Sequence, residues 1–146
     1  MSEVRITDFS GEFCEAAVDG VLKGLAAAAF EIQSLAMDNI RENGQIDTGA
    51  MLNAIYVETA DTNQRQEMIE QARARAAARG QTVAAGSPGE PLEVNEVRVA
   101  EAMEYGIYQE MGTKFMPGRP YLGPAAEEVK GRLTEIVQEH VDRALS

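Results

Sequence analysis

Apolar residues at Val18, Leu22, Leu25, Ala29, Ile32, Ala36 and Ile40 recur three and four positions apart. That spacing lines one face of an α-helix and predicts a single long helix over 11–42. Ser10 or Asp8 is placed to cap its start by accepting a first-turn amide proton. Asn43-Gly44 is placed to end it, because glycine tolerates the left-handed conformation that closes helices. About 32 residues at ~1.5 Å each make a rod of roughly 48 Å, which crosses a small domain or protrudes from it.

The pattern then changes period. Ile46 to Ala54 read as a link with a short helical turn capped by Asp47, and Ile55-Tyr56-Val57 as a strand of β-branched and aromatic residues. Residues 61–79 return to helical spacing, opened by Asp61-Thr62 and closed by Gly80, with a thin apolar face of Met68, Ile69, Ala72 and Ala76. Gly, Ser and Pro over 80–91 predict a loop. In Leu92 to Ala100, Val97 and Val99 alternate with charged residues as in a half-buried strand. Leu92 and Val94 stand in the opposite phase, which predicts a bulge near Asn95. Met103, Ile107 and Met111, four apart, predict a short helix over 103–111, and Gly112 to Gly123 a loop. Pro124 opens a last helix as a first-turn proline, with Val129, Leu133, Ile136, Val137 and Val141 on its apolar face. The expected fold is α+β: a small antiparallel β-sheet packed on one side against the long N-terminal helix and the C-terminal helix. So few strands leave edges open to pairing. One domain spanning 1–146 is expected, with an inserted helix and loop at about 61–91.

Composition narrows the function. Aromatics make up only 5% of the 146 residues, with no Trp, so the core is built from Ala, Val, Leu, Ile and Met. The formal net charge of -11 is the wrong sign for gripping phosphates, yet suits a wall that repels DNA passing beside it. Against that background 64–79 is basic, with Arg65, Arg73, Arg75 and Arg79. Oppositely charged segments on one chain fit contacts in which one face meets a different face. The single Cys14 excludes an intrachain disulfide and is expected to be a buried, inert thiol. His140 is the only histidine, and no cluster has metal-ligand spacing. No phosphate loop or nucleophile elbow occurs. No cofactor is therefore expected. Neither a signal peptide nor an apolar run of about 20 residues is present, so assembly in a cytoplasm and no membrane contact are expected.

Two segments carry a resemblance. The first is Ile46-Asp47-Thr48-Gly49-Ala50-Met51-Leu52-Asn53-Ala54-Ile55. The second is Tyr105-Gly106-Ile107-Tyr108-Gln109-Glu110-Met111-Gly112-Thr113-Lys114-Phe115-Met116-Pro117-Gly118-Arg119-Pro120-Tyr121-Leu122-Gly123-Pro124-Ala125. Together they resemble the HK97-like phage neck and tail-component family, which includes head–tail joining and tail-completion proteins. The family's pattern has Arg where Leu52 stands, Ser for Ala54, an aromatic residue for Met111 and Ala for Gly118. The resemblance runs in order along the whole chain, and the second motif is the specific one; the 61–91 insert is longer than the family leads one to expect. The resemblance implies a structural virion protein rather than an enzyme. It would form a homo-oligomeric ring at the head–tail junction, between head–tail adaptor or connector proteins and the tail terminator or tail tube. Genomic DNA would pass through the lumen without sequence-specific binding.

Read physically, Gly112 can take the positive φ that ends a helix, and Thr113 can bond the freed carbonyls. Pro117 and Pro120 stiffen the loop around Arg119, which can pair with Glu110 or reach an acidic neighbour. The assembly interface is expected to involve Glu110, Thr113, Lys114, Met116, Arg119 and Tyr121, together with Arg73 and Arg79 on the insert, which can equally be a solvated face of weak Glu–Arg pairs. Asp47 is read as a structural cap. Two rival readings stand beside this one. Asp47-Thr48-Gly49 is also the triplet of aspartic proteases, which would need a dimer to bring two carboxylates together; Tyr121-Leu122-Gly123 mimics their apolar-apolar-Gly partner segment. The predicted helix content and the polar approach to Asp47 argue against it. The other rival is a small acidic adaptor protein.

Overall fold

A computed structural model describes residues 2–44 and 54–146, with side chains described from Cys14 onward, Met116 excepted. Asp47, its expected cap and the Asp47-Thr48-Gly49 triplet lie outside the described residues. Among the described residues the fold is mixed helix and strand: five helices, a small two-stranded antiparallel sheet and a second, shorter two-stranded pair, with the long N-terminal helix packed on the C-terminal one.

That first helix, α1, spans Ser2–Glu42. It runs straight through Asp8 and Ser10, so neither caps its start; no proline or turn sequence precedes them to break the helix there. Its far end is as expected, with Gly44 at φ 68° and the Asn43 amide bonded to the Asn39 carbonyl at 2.9 Å.

The last helical segment is two helices, α4 (Leu122–Lys130) and α5 (Leu133–Leu145). A tight turn at Gly131 and Arg132 separates them, with Arg132 N–H on the Val129 carbonyl at 2.9 Å and the Arg132 guanidinium held by Glu31 of α1. This pair runs antiparallel along α1 in nearly constant register. Gly20 lies against Val141, Gly24 against Val137, Glu31 against Arg132, and Asn39 donates to the Tyr121 carbonyl at 3.0 Å. The contact is made by backbones: a Cβ at Gly20 would fall 2.6 Å from Val141 Cα, and one at Gly24 2.8 Å from Val137 Cα. The buried line of α1 is Gly20, Gly24, Ala28, Ala29, Gln33, Ala36 and Ile40, which keeps Ala29, Ala36 and Ile40 of the predicted stripe. The predicted stripe is thus rotated at its start, and Val18 is 54% exposed. Cys14, expected to be buried, is exposed on the same stretch.

Strand β1 (Ile55–Glu58) pairs antiparallel with β2 (Arg98–Glu101), placing Ile55 opposite Glu101 and Glu58 opposite Arg98. Glu58 and Arg98 close an ion pair at 3.1 Å. β2 is shorter than the predicted 92–100. The change of phase near Asn95 is a turn, not a bulge, closed by Glu96 N–H on the Glu93 carbonyl and Glu93 N–H on the Glu96 carboxylate. The sheet is covered on both faces rather than one. Ile55 and Val99 pack with Ala36, Ile40, Tyr121 and Ala125 on the α1–α4 side. Tyr56, Ala100 and Ala102 pack with Ile69 and Ala72 of α2 (Arg65–Ala77) on the other. The insert helix therefore lies on the sheet. It starts after Asp61-Thr62, which form a turn in which Thr59 N–H meets the Thr62 carbonyl.

The outer edge of β1 is closed by two glutamines. Gln33 Nε2 donates to the Ile55 carbonyl at 2.9 Å and to Gln64 Oε1 at 2.9 Å. Gln64 Oε1 accepts from Val57 N–H at 3.0 Å, and Gln64 N–H donates to the Val57 carbonyl at 3.1 Å. The groups a neighbouring strand would use are already paired.

Candidate assembly interface

Between β2 and α4 the chain builds one compact structure. Helix α3 (Gly106–Met111) ends at Gly112, whose φ of 82° and ψ of 177° form a combination open essentially to glycine alone. Two-residue strands follow, β3 (Gly112–Thr113) and β4 (Met116–Pro117), paired Gly112 to Pro117 and Thr113 to Met116. The expected loop is thus a hairpin with Lys114-Phe115 at its tip. Thr113 does not bond α3's carbonyls as expected: its Oγ1 accepts the Phe115 N–H at 3.1 Å and shapes the tip. Lys114 Nζ sits 5.0 Å from the Phe115 ring centroid, within range of a cation–π contact.

The hairpin folds back on α3 so closely that a Cβ at Gly118 would lie 2.6 Å from Met111 C and 2.7 Å from Glu110 O. An alanine at this position, usual in the pattern the sequence resembles, requires the backbone to move. Arg119 then ties the loop down. Its N–H donates to the Gln109 carbonyl at 2.8 Å and its guanidinium to the Asn43 carbonyl at 2.8 Å. Asn43 Nδ2 returns a bond to the Pro120 carbonyl at 3.1 Å. The end of α1 thereby fixes the loop through Asn39 and Asn43, one turn apart; the sequence pattern gives Asn39 no role and marks Asn43 only as part of the helix end.

Of the two partners that the sequence offers to Arg119 (Glu110 or an acidic neighbour), Glu110 is not taken: no ion pair joins them among the described contacts. Glu110 Oε2 accepts Tyr121 N–H at 2.8 Å and Leu122 N–H at 3.0 Å, and its Oε1 accepts Gly123 N–H at 2.8 Å. Pro124 has no N–H, so one carboxylate satisfies all the free amides at the start of α4. Tyr121 is buried, its hydroxyl 3.3 Å from both Glu101 Oε2 and the Gly106 carbonyl; it supports α3 and the loop from below rather than offering a surface. Arg73 and Arg79 are exposed, on α2 and just after it, and α2 packs on the face of the sheet opposite Tyr121. Met116 opens β4, and its side chain lies outside the described residues.

Burial pushes the Glu101 carboxyl up to about 8, against the opposing pull of bonds from Met103 N–H and the Tyr121 hydroxyl. Burial, and then the Glu101 charge, also raise the hydroxyls of Tyr121 and Tyr105. Folded Glu101 keeps its proton where the unfolded chain has lost it. Stability from this group is therefore complete below pH ~4.5, falls as pH rises, and levels off above about 8. Between pH 5 and 8 the expected loss is roughly 2 kcal/mol, discounted from ~1.4 kcal/mol per unit because water reaches part of the side chain. Glu101→Gln should remove that slope in denaturation curves at the two pH values; an unchanged slope contradicts the assignment.

The outer surface is apolar. Ile107 is 59% exposed, Tyr108 51%, Met111 75% and Phe115 86%. Half of the chain's large exposed apolar side chains among the described residues thus fall within nine positions. Among the described residues no group of three or more His, Cys, Asp or Glu side chains could hold a metal ion, and no helix is long and apolar enough to cross a membrane. Compared with protein-family models, with curated proteins and with solved structures, the chain matches none.

Proposed function

We propose that this chain is a structural, non-catalytic subunit of a tailed-phage particle that assembles with itself into a ring at the head–tail junction. In this reading it joins the capsid connector to the tail and leaves a lumen for DNA. The observation that carries the reading is the concentrated exposed apolar surface on α3 and the hairpin tip. Singly exposed apolar residues need no explanation, whereas a cluster marks a surface built for contact. It falls within the 105–125 motif that resembles the neck and tail-component family. It is also held rigid, by Glu110, Gly118, Arg119 and two prolines, so little order is lost when a neighbour docks. The net charge of -11 suits a channel wall that does not trap DNA.

The test is assembly of particles with and without the chain. Heads and tails made in its absence should stay separate and join when the purified chain is added. Joining that proceeds equally well without it contradicts the proposal.

A further inference from the structure

We propose that the Lys114-Phe115 tip of one subunit seats in the groove beside α3 of a second copy. This rests on the self-assembly reading above and names the contact. The groove has a volume of about 340 Å³, with Met103, Ile107, Met111 and Leu122 as apolar walls and Glu104 and Glu110 among its acidic groups. A cavity of roughly 150 Å³ accepts a benzene ring, so this one holds a phenyl ring and the methylene stem of a lysine beside it. Phe115 supplies that ring. It is the most exposed large apolar side chain among the described residues, and Thr113 and the short ladder behind it hold the tip outward.

Charge points to the same occupant. Residues 112–119 carry Lys114 and Arg119 and no acid, while the groove is lined by Glu104 and Glu110, beside the protonated Glu101, and by no base. A cationic aromatic tip thus meets an apolar groove in an acidic segment, and an acidic tip would be turned away. Tip and groove are different patches of one subunit, the condition for a head-to-tail contact that propagates around a ring.

The experiment uses the full chain in two variants. Phe115→Ala removes the knob and Ile107→Glu charges the groove; both sites face solvent, so circular dichroism should be unchanged. Each variant alone should self-associate at least tenfold more weakly than the parent chain. An equimolar mixture should recover heteromeric pairs, since an intact tip then finds an intact groove. As a direct readout, with Cys14 replaced by Ser, a chain carrying Phe115→Cys should form a disulfide with one carrying Met111→Cys. Parent-like association by Phe115→Ala, or a mixture that gives neither pairing nor cross-link, overturns the contact. If Phe115→Ala associates normally and still joins heads to tails, the contact fails and the function stands. If tip and groove pair but particles ignore the chain, the function fails and the contact stands.

Discussion

Replacing Gly24 with Leu is expected to destabilise the fold by about 3 kcal/mol or more, in the upper range for overpacking. In a helix exposed to water the change would be favourable, because glycine costs about 1 kcal/mol relative to good helix formers. Here the added Cβ would stand 2.8 Å from Val137 Cα, and a backbone atom cannot rotate away as a side chain can. α5 must then lift off α1, and with no fully buried residue of its own it has little else to hold it. Gly24→Ala carries the same sign at smaller size. Gly131 provides the contrast. Its φ is -63° and a Cβ there meets nothing nearer than 3.5 Å, so Gly131→Ala should be neutral or stabilising by up to ~1 kcal/mol. Urea denaturation of the three variants measures this; a Gly24→Leu chain as stable as the parent refutes the close approach.

The second large effect is expected at Glu110. Glu110→Ala leaves the Tyr121, Leu122 and Gly123 amides without their acceptor. Hydrogen bonds to a charged group contribute about 1.5–3 kcal/mol each, and water recovers part of that at the exposed Gly123. A net loss of about 3 kcal/mol is expected. Glu110→Gln, with one oxygen and no charge, should lose about half as much. The specific sign is local: amide hydrogen exchange at Tyr121, Leu122 and Gly123 should accelerate more than in the middle of α4. If Glu110 instead acted as a surface charge, exchange would be unchanged and thermal unfolding would shift by less than ~0.5 kcal/mol.

Much of the framework was legible from residues alone, for reasons that the same residues make plain. Ile55-Tyr56-Val57 has no competing pattern and forms β1, and Gly44 and Gly112 stand where a chain must adopt positive φ to leave a helix. What stayed hidden depends on distances between elements. Hydrophobic periodicity weighs side chains, so it favoured Val18 and passed over Gly20 and Gly24, whose role is to have none. Charge matching offered Glu110 to Arg119, but it cannot count the free amides at the start of a helix that begins beyond the next loop. Gln33, Gln64 and Asn39 are ordinary polar residues in a helix pattern, and Asn43 reads only as part of a helix end. Only the fold reveals that two of them close a strand edge and two fix the loop beneath the proposed interface.

The most direct measurement is the mass of the purified chain by light scattering over a range of concentrations and salt. A single species many times the 15.8 kDa subunit mass, formed in a concentration-dependent way, is the result the assembling-subunit account predicts. A chain that stays at 15.8 kDa up to millimolar concentration, with Ile107, Met111 and Phe115 left bare, would contradict it.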